Sequence, residues 1–332
     1  MGDVAMIVPV LQVFSKTYPE VQLTILSRVF FKPFFEEIPN VNFLEAEVEG
    51  KHKGFFGLLK LSNEAKKLDI DAVADVHNVI RSKIITKCLW FSGKKTATIN
   101  KGRAEKKALT RENNKVFKQL KTMHQRYAEV FEKLGFSLDL SSFKPLPRKN
   151  FNQKLQDLVG SEPKKIIGIA PFAAYKSKMY PLDLMREVIS KLDKTNQYHI
   201  VLFGGGKTEI EQLTLLENDF ISVKNAAGKL DFKEELALIS NLDLMLSMDS
   251  GNGHLAAMYG VPVITLWGVT HPFAGFVPFG QPIENCLTAD SEKFPLLPTS
   301  IYGNKFPEGY EGSMKTISPQ KITDKLIFTL QN

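Results

Sequence analysis

Four segments carry side chains of the kinds that handle an activated phosphate ester. The richest is Asp249-Ser250-Gly251-Asn252-Gly253-His254-Leu255-Ala256-Ala257, which follows an apolar strand pattern over 242–247 and opens a helix pattern. Glycines there let the backbone approach a ligand, and free N–H groups at the positive end of a helix make a phosphate site. Ser250 and His254 can add side-chain donors. The plainer reading is a tight turn with a buried capping histidine. Trp267-Gly268-Val269-Thr270-His271-Pro272 follows the next strand, and Gly204-Gly205-Gly206 ends another, with Glu209 and Glu211 just beyond. In an open parallel sheet, ligands sit beyond the carboxyl ends of strands, so these segments converge on one place. Glu209 could accept from ribose hydroxyls, whereas Glu211 reads as a first-turn acid favouring the helix dipole. Lys178, in the loop over 171–181, is of the type that neutralises a leaving diphosphate; Lys176 is its rival, and an exposed loop lysine is the plain alternative.

The first half offers a further group. Asp75-Val76-His77-Asn78-Val79-Ile80-Arg81-Ser82 stands at a strand's carboxyl end and gathers acid, imidazole, amide and guanidinium within eight residues. His124 falls on a helix pattern, where a structural role is at least as expected. Met1-Gly2-Asp3-Val4 feeds a helix over 5–14. Metal-ligand spacings of Cys and His, HExxH, Walker A and GxSxG sequences are all absent.

The elements that must position these residues alternate between short apolar strands and amphipathic helices, the pattern of an α/β protein with parallel sheets. Strands are expected over 21–26, 41–44 and 72–76, then 165–170, 199–203, 242–247 and 262–266. Helices are expected over 58–68 and 116–134, the latter ended by Gly135, and over 181–192, 208–217, 232–240 and 253–259. A broken polar stretch over 137–164, with Pro145 and Pro147, reads as the approach to a linker. The Pro- and Gly-rich segment 294–312 reads as a loop. A last helix starts from Ser318 as N-cap and Pro319 at N1. The division expected is 1–155, 156–316 and a C-terminal helix over 317–332 that packs back on the first half.

The 332 residues carry 43 basic and 36 acidic side chains, net +7, with 43% hydrophobic residues, which excludes disorder and collagen-like repeats. Two distant cysteines, Cys88 and Cys286, fit a reducing compartment rather than a disulfide scaffold, and no secretory leader or membrane-spanning run is evident. A cytoplasmic location is the expectation. Ten basic residues against two acids between 94 and 121 suggest either a solvated surface or a field for an anionic partner. Nucleic acid is disfavoured as that partner, because no recognition motif accompanies the charge.

The order Gly2-Asp3-Val4, Asp75…Arg81-Ser82, Lys178-Met179-Tyr180-Pro181, Gly204-Gly205, Ala227-Gly228-Lys229, Asp249-Ser250-Gly251…His254-Leu255-Ala256 and Gly268-Val269-Thr270-His271-Pro272 resembles glycosyltransferase family 9, the heptosyltransferases of lipopolysaccharide assembly. The resemblance spans almost the whole chain. It implies a GT-B architecture of two Rossmann-like domains facing across a cleft, an acceptor-binding N-terminal one and a donor-binding C-terminal one. The family's opening strand, which ends in Ser-x-x-Gly-Asp, is missing from this sequence. The resemblance further implies an inverting, metal-independent transfer of a heptose from an ADP-sugar to an anionic lipid A-type glycolipid. No cofactor is implied beyond that donor substrate. By carry-over, Asp3 is the general base, and Lys178, Ser250, Gly251 and His254 hold the diphosphate. Asp249 shapes that loop, Gly204, Glu209 and Thr270 complete the donor side, and Asp75, Asn78, Arg81 and Ser82 face the acceptor. The basic stretch would meet a phosphorylated lipid in a peripheral contact at the inner membrane face. A non-catalytic nucleotide-sugar-binding protein and a GT-B nucleotide-sugar epimerase are the alternatives.

Overall fold

A computed structural model describes residues 1–331. They form two compact units, one comprising Met1, 3–103 and 121–144, the other Gly2, 104–120 and the chain from 145 onward.

The first unit begins with α1 (Gly2–Thr17), in which residues 5–15 are all buried, the mark of a helix enclosed on every side. β1 (Leu23–Ser27) then pairs in parallel with β2 (Val41–Glu45), from Leu23 opposite Val41 to Ser27 opposite Glu45. α2 (Gly54–Lys66), β3 (Ala72–Asp75), α3 (Ile80–Trp90) and β4 (Lys95–Thr98) follow, with β3 and β4 parallel. Leu58, Leu61 and Ala65 of α2 meet Ile85 and Leu89 of α3 over Leu26, Leu44 and Val73. Among the described residues, pairing in this unit stops at two two-stranded sheets.

α4 (Arg103–Thr110) leads into a stretch to Leu120 that belongs to the second unit: Leu109, Leu120 and Ala274 cluster, and the Leu120 N–H donates to the Phe273 carbonyl at 2.9 Å. The helix expected over 116–134 is therefore shorter. α5 (Met123–Leu134) begins only after Thr122, whose hydroxyl accepts from the Gln125 N–H while Gln125 returns a bond to the Thr122 N–H. Gly135 ends it in the left-handed region at φ +106°, as its sequence position suggested.

In the second unit, α6 (Gln153–Val159), capped by Asn152, lies inside the stretch expected to be the approach to a linker. β5 (Lys165–Ala170), α7 (Leu182–Asp193), β6 (Tyr198–Leu202), α8 (Lys207–Asp219), β7 (Val223–Asn225), α9 (Phe232–Ser240), β8 (Leu244–Met248), α10 (Gly251–Met258), β9 (Val263–Trp267) and β10 (Cys286–Thr288) then alternate. The sheet is parallel, in the order β10-β9-β8-β5-β6-β7. β6, β8 and β9 are buried along their whole length, in keeping with their unbroken apolar runs. The order reverses direction between β5 and β8, which creates the crevice where doubly wound sheets take ligands.

α11 (Pro319–Gln331) starts as expected, with the Ser318 hydroxyl accepting from the Lys321 N–H. Its apolar stripe corrects the expected destination, however. Ile322, Leu326 and Leu330 enter the second unit's own core beside Leu192 and Leu244, where their burial is best satisfied.

The basic stretch is not one continuous face. Lys106 is 4% exposed, with its ammonium 4.1 Å from the Phe276 ring centre. The Lys115 ammonium donates to the Leu296 and Pro298 carbonyls, and Lys121 pairs with Glu129. Among the described residues no helix is long and apolar enough to cross a membrane.

Candidate functional site

The crevice between β5 and β8 is lined by the two segments that the sequence marks most strongly. β8 leads directly into Asp249 and Ser250, and α10 starts at Gly251. The loop after β5 is fastened to the core: the buried Tyr180 ring donates its hydroxyl proton to the Ile317 carbonyl at 2.6 Å, and Ser177 donates to the Gly303 carbonyl. Desolvation drives the Tyr180 pKa upward, so it remains a neutral anchor. Lys178 is thereby held with Nζ 2.8 Å from Asp249 Oδ2, both side chains largely buried. Such a pair gains Coulombic energy only by surrendering hydration, and Asp249 fixes where the ammonium sits. A lysine ammonium, held by its carboxylate partner, thus stands at the switch point.

Ser250 is the N-cap of α10, yet its hydroxyl makes no bond to its own helix. Ser250 Oγ, Asn252 Oδ1 and His254 Nδ1 are buried polar atoms without a hydrogen-bond partner in the protein. Three such atoms on one turn are costly, at about 1–3 kcal/mol each. His254 is 7% exposed, and burial, with the Lys178 charge adding to it, lowers its pKa to about 3. Its imidazole is therefore neutral at physiological pH and offers one ring N–H. Gly253 permits the close seating of α10, because a Cβ there would lie 2.7 Å from Ser247 Oγ.

On one side of this centre, Glu209 Oε2 accepts from the Gly205 N–H at 2.8 Å and ties down the turn that includes Gly204. On the other, Gly268 approaches so closely that a Cβ would stand 2.8 Å from the Ser177 carbonyl oxygen. Thr270 follows it, fully enclosed.

In the first unit, Asp75 organises its own loop. Its Oδ1 accepts from the His77 and Asn78 N–H groups at 3.0 and 2.7 Å, and its Oδ2 accepts from Ser82. Ser82 Oγ in turn accepts from the Val79 N–H, and Asn78, at φ +50°, donates to the Ile99 carbonyl. These three residues build the turn, and Arg81 stays exposed on it. The turn presents His77, whose imidazole the sequence placed in this cluster without a role. His77 Nε2 lies 3.9 Å from Asp3 Oδ2, and both side chains are 57% exposed. Burial and the nearby Lys101 charge lower the His77 pKa, against the opposing pull of Asp3. The signal for His77 was its place in the Asp75–Ser82 cluster; its carboxylate partner, 74 residues away in sequence, gave none.

The comparisons with known proteins bear on the family and the fold. The chain is 25% identical to lipooligosaccharide heptosyltransferase 2 of Campylobacter jejuni, over all of this chain and 96% of that protein. Its fold is similar to that of a family 9 glycosyltransferase from Veillonella parvula, with TM-score 0.77, 19% identity, and 99% of this chain and 94% of that one covered. It is also similar to the E. coli heptosyltransferase WaaC with ADP, with TM-score 0.67, 17% identity, and 99% and 96% covered. These likenesses place the fold in the GT-B class. The family model for glycosyltransferase family 9 (heptosyltransferase) matches residues 58–297, and the chain belongs to that family.

Proposed function

We propose that this chain is an inverting heptosyltransferase that moves a heptose from ADP-heptose to a lipopolysaccharide core acceptor of the lipid A type. The observation that carries the donor half is the set of buried, unpartnered polar atoms on one helix-opening turn: Ser250 Oγ, Asn252 Oδ1 and His254 Nδ1. The Ser250 hydroxyl, the Gly251 backbone and a His254 ring N–H would donate to diphosphate oxygens there. Lys178 would balance the charge that grows on ADP as the glycosidic bond breaks, without a metal ion. Glu209 and the turn at Gly204 would meet the nucleoside end, while Thr270 would lie toward the sugar. In the first unit, Asp3 would take the proton from the acceptor hydroxyl, with His77 beside it to orient the carboxylate. One displacement, with the bond to the acceptor forming opposite the bond to ADP, inverts the anomeric centre.

Arg81 and the exposed Arg103, Lys107 and Lys118 are basic groups that would meet an anionic glycolipid in a peripheral contact with the cytoplasmic membrane face. Family membership and the relatives' activities support this reading. Calorimetric titration with ADP, UDP and GDP, followed by a transfer assay with ADP-heptose and a lipid A-type acceptor, tests it. ADP alone should bind, transfer should proceed with inversion, and Asp3→Asn should lower kcat by about 100-fold or more with ADP affinity kept. Binding without turnover would favour a nucleotide-sugar-binding protein, and epimerised free sugar an epimerase.

A further inference from the structure

The turn after β9 holds a feature that a diphosphate site alone does not require. Thr270 is 2% exposed, and its Oγ1 has no hydrogen-bond partner. With Gly268, His271, Phe117, Thr288 and Leu297 it lines a cavity of about 40 Å³. His271 Nδ1 accepts from the Phe273 N–H at 3.1 Å, so the ring proton resides on Nε2. Burial, followed by the Lys115 charge, holds the His271 pKa down at about 4, and the ring acts as a neutral donor. The Phe117 ring packs 4.9 Å from the His271 ring and 5.0 Å from that of Phe273. Phe117 is brought there by the stretch up to Leu120, which Lys115 and Leu120 fasten to carbonyls of the same unit. The wall is built rather than incidental.

The strand order says what the cavity faces. Lys178 and Asp249 stand at the central strands β5 and β8. The Glu209 turn follows β6 on one flank, and on the other Thr270 follows β9 and Thr288 ends β10. A nucleotide-sugar centred on its diphosphate sends its nucleoside one way and its sugar the other. With the nucleoside toward Glu209, the sugar falls toward Thr270. We propose that this cavity takes a hydroxyl-bearing exocyclic arm of the donor's sugar: Thr270 Oγ1 and the His271 N–H bond its oxygen, and the Phe117 ring covers its C–H face. The inference rests on the donor reading above. A single water needs about 10–15 Å³ of such space, so the room suits a small polar group such as a hydroxymethyl. A site that takes the terminal hydroxymethyl of a heptose's two-carbon arm is out of reach of the one-carbon arm of a hexose, and so separates the two.

Calorimetric titration of the full chain, Thr270→Val and Phe117→Ala with ADP, ADP-heptose and ADP-mannose tests it. Valine keeps the shape of threonine without its hydroxyl, and Phe117 is 54% exposed, so its truncation spares the core. The wild type should prefer ADP-heptose over ADP-mannose. Both variants should keep wild-type ADP affinity and lose about 3–10-fold of that preference. A wild type without the preference, variants that retain it, or variants that weaken ADP and ADP-heptose alike would overturn the proposal and leave the cavity to an ordered water. A wild type that binds no ADP would overturn the donor reading itself.

Discussion

The two units solve the same problem, a parallel sheet between helices, to different degrees. In the second, six strands run continuously, with Leu244, Leu246, Ile264 and Leu266 buried on one sheet face and Met245 and Val263 on the other. In the first, four strands form two separate pairs, and β1 is only half-buried at every position. The difference matches the chemistry proposed for them. A diphosphate would be bound by fixed backbone N–H groups and a lysine pinned to an aspartate, an arrangement that loses its value if the scaffold shifts by an ångström. Asp3, His77 and Arg81 instead stand exposed on a first turn and a loop, the setting of groups that meet a large ligand.

Core truncation separates the two units most sharply. Leu246→Ala should cost about 2–5 kcal/mol, because it opens a cavity in a strand enclosed on both faces. Leu26→Ala in β1 should cost less than about 2 kcal/mol, since that side chain is only partly buried at the margin of its core. Urea unfolding should show two transitions, with Leu246→Ala lowering the later and Leu26→Ala the earlier. A single transition lowered equally by both would dissolve the contrast. Amide exchange should agree, with β1 and β3 exchanging ahead of β5 and β8.

The same contrast governs what could be read from the sequence. Strands β5, β6, β8 and β9 were legible because burial on both faces writes an unbroken apolar run. β4, with the sequence Lys-Thr-Ala-Thr, gave no such run because only Ala97 is buried, and β7 and β10 are three residues each. Ser318 and Gly135 announced helix ends through local chemistry that needs no tertiary partner. The stretch 116–122 looked helical because its apolar residues serve a distant surface around Phe273, a demand that local periodicity does not encode. In the site, the Ser250 turn was legible from residue types alone. The ion pair of Lys178 with Asp249 and the approach of His77 to Asp3 join residues more than 70 apart, and spacing carries no trace of either.

A smaller effect probes the first unit's chemistry. His77→Gln should lower kcat about 3–10-fold and leave the affinity for ADP unchanged, because glutamine can still reach toward Asp3 but the imidazole is lost. The limb of the kcat profile below neutral pH should change shape in the variant. A kcat and profile indistinguishable from wild type would reduce the pair to a surface contact.

The smallest effect tests the rigidity of the second unit through a group outside the site. Glu235 lies in the first turn of α9, and burial raises its pKa to about 7. Folded protein therefore holds a proton there between about pH 4.5 and pH 7 that the unfolded chain has released. More protons on the native state mean that stability falls as pH rises through this window. Above it, the folded form carries a buried carboxylate at a fixed cost. Glu235→Gln removes the ionisation and should raise the second unit's melting temperature at pH 8 by a few degrees, with the gain shrinking to nothing near pH 4.5. His254 and His271, whose pKa values burial lowers, act with the opposite sign: stability falls as pH drops below about 6.5. Their contribution is common to both proteins and cancels in the difference. An equal gain at pH 5 and pH 8 would mean that Glu235 is hydrated, and that α9 opens to water as readily as the helices of the first unit.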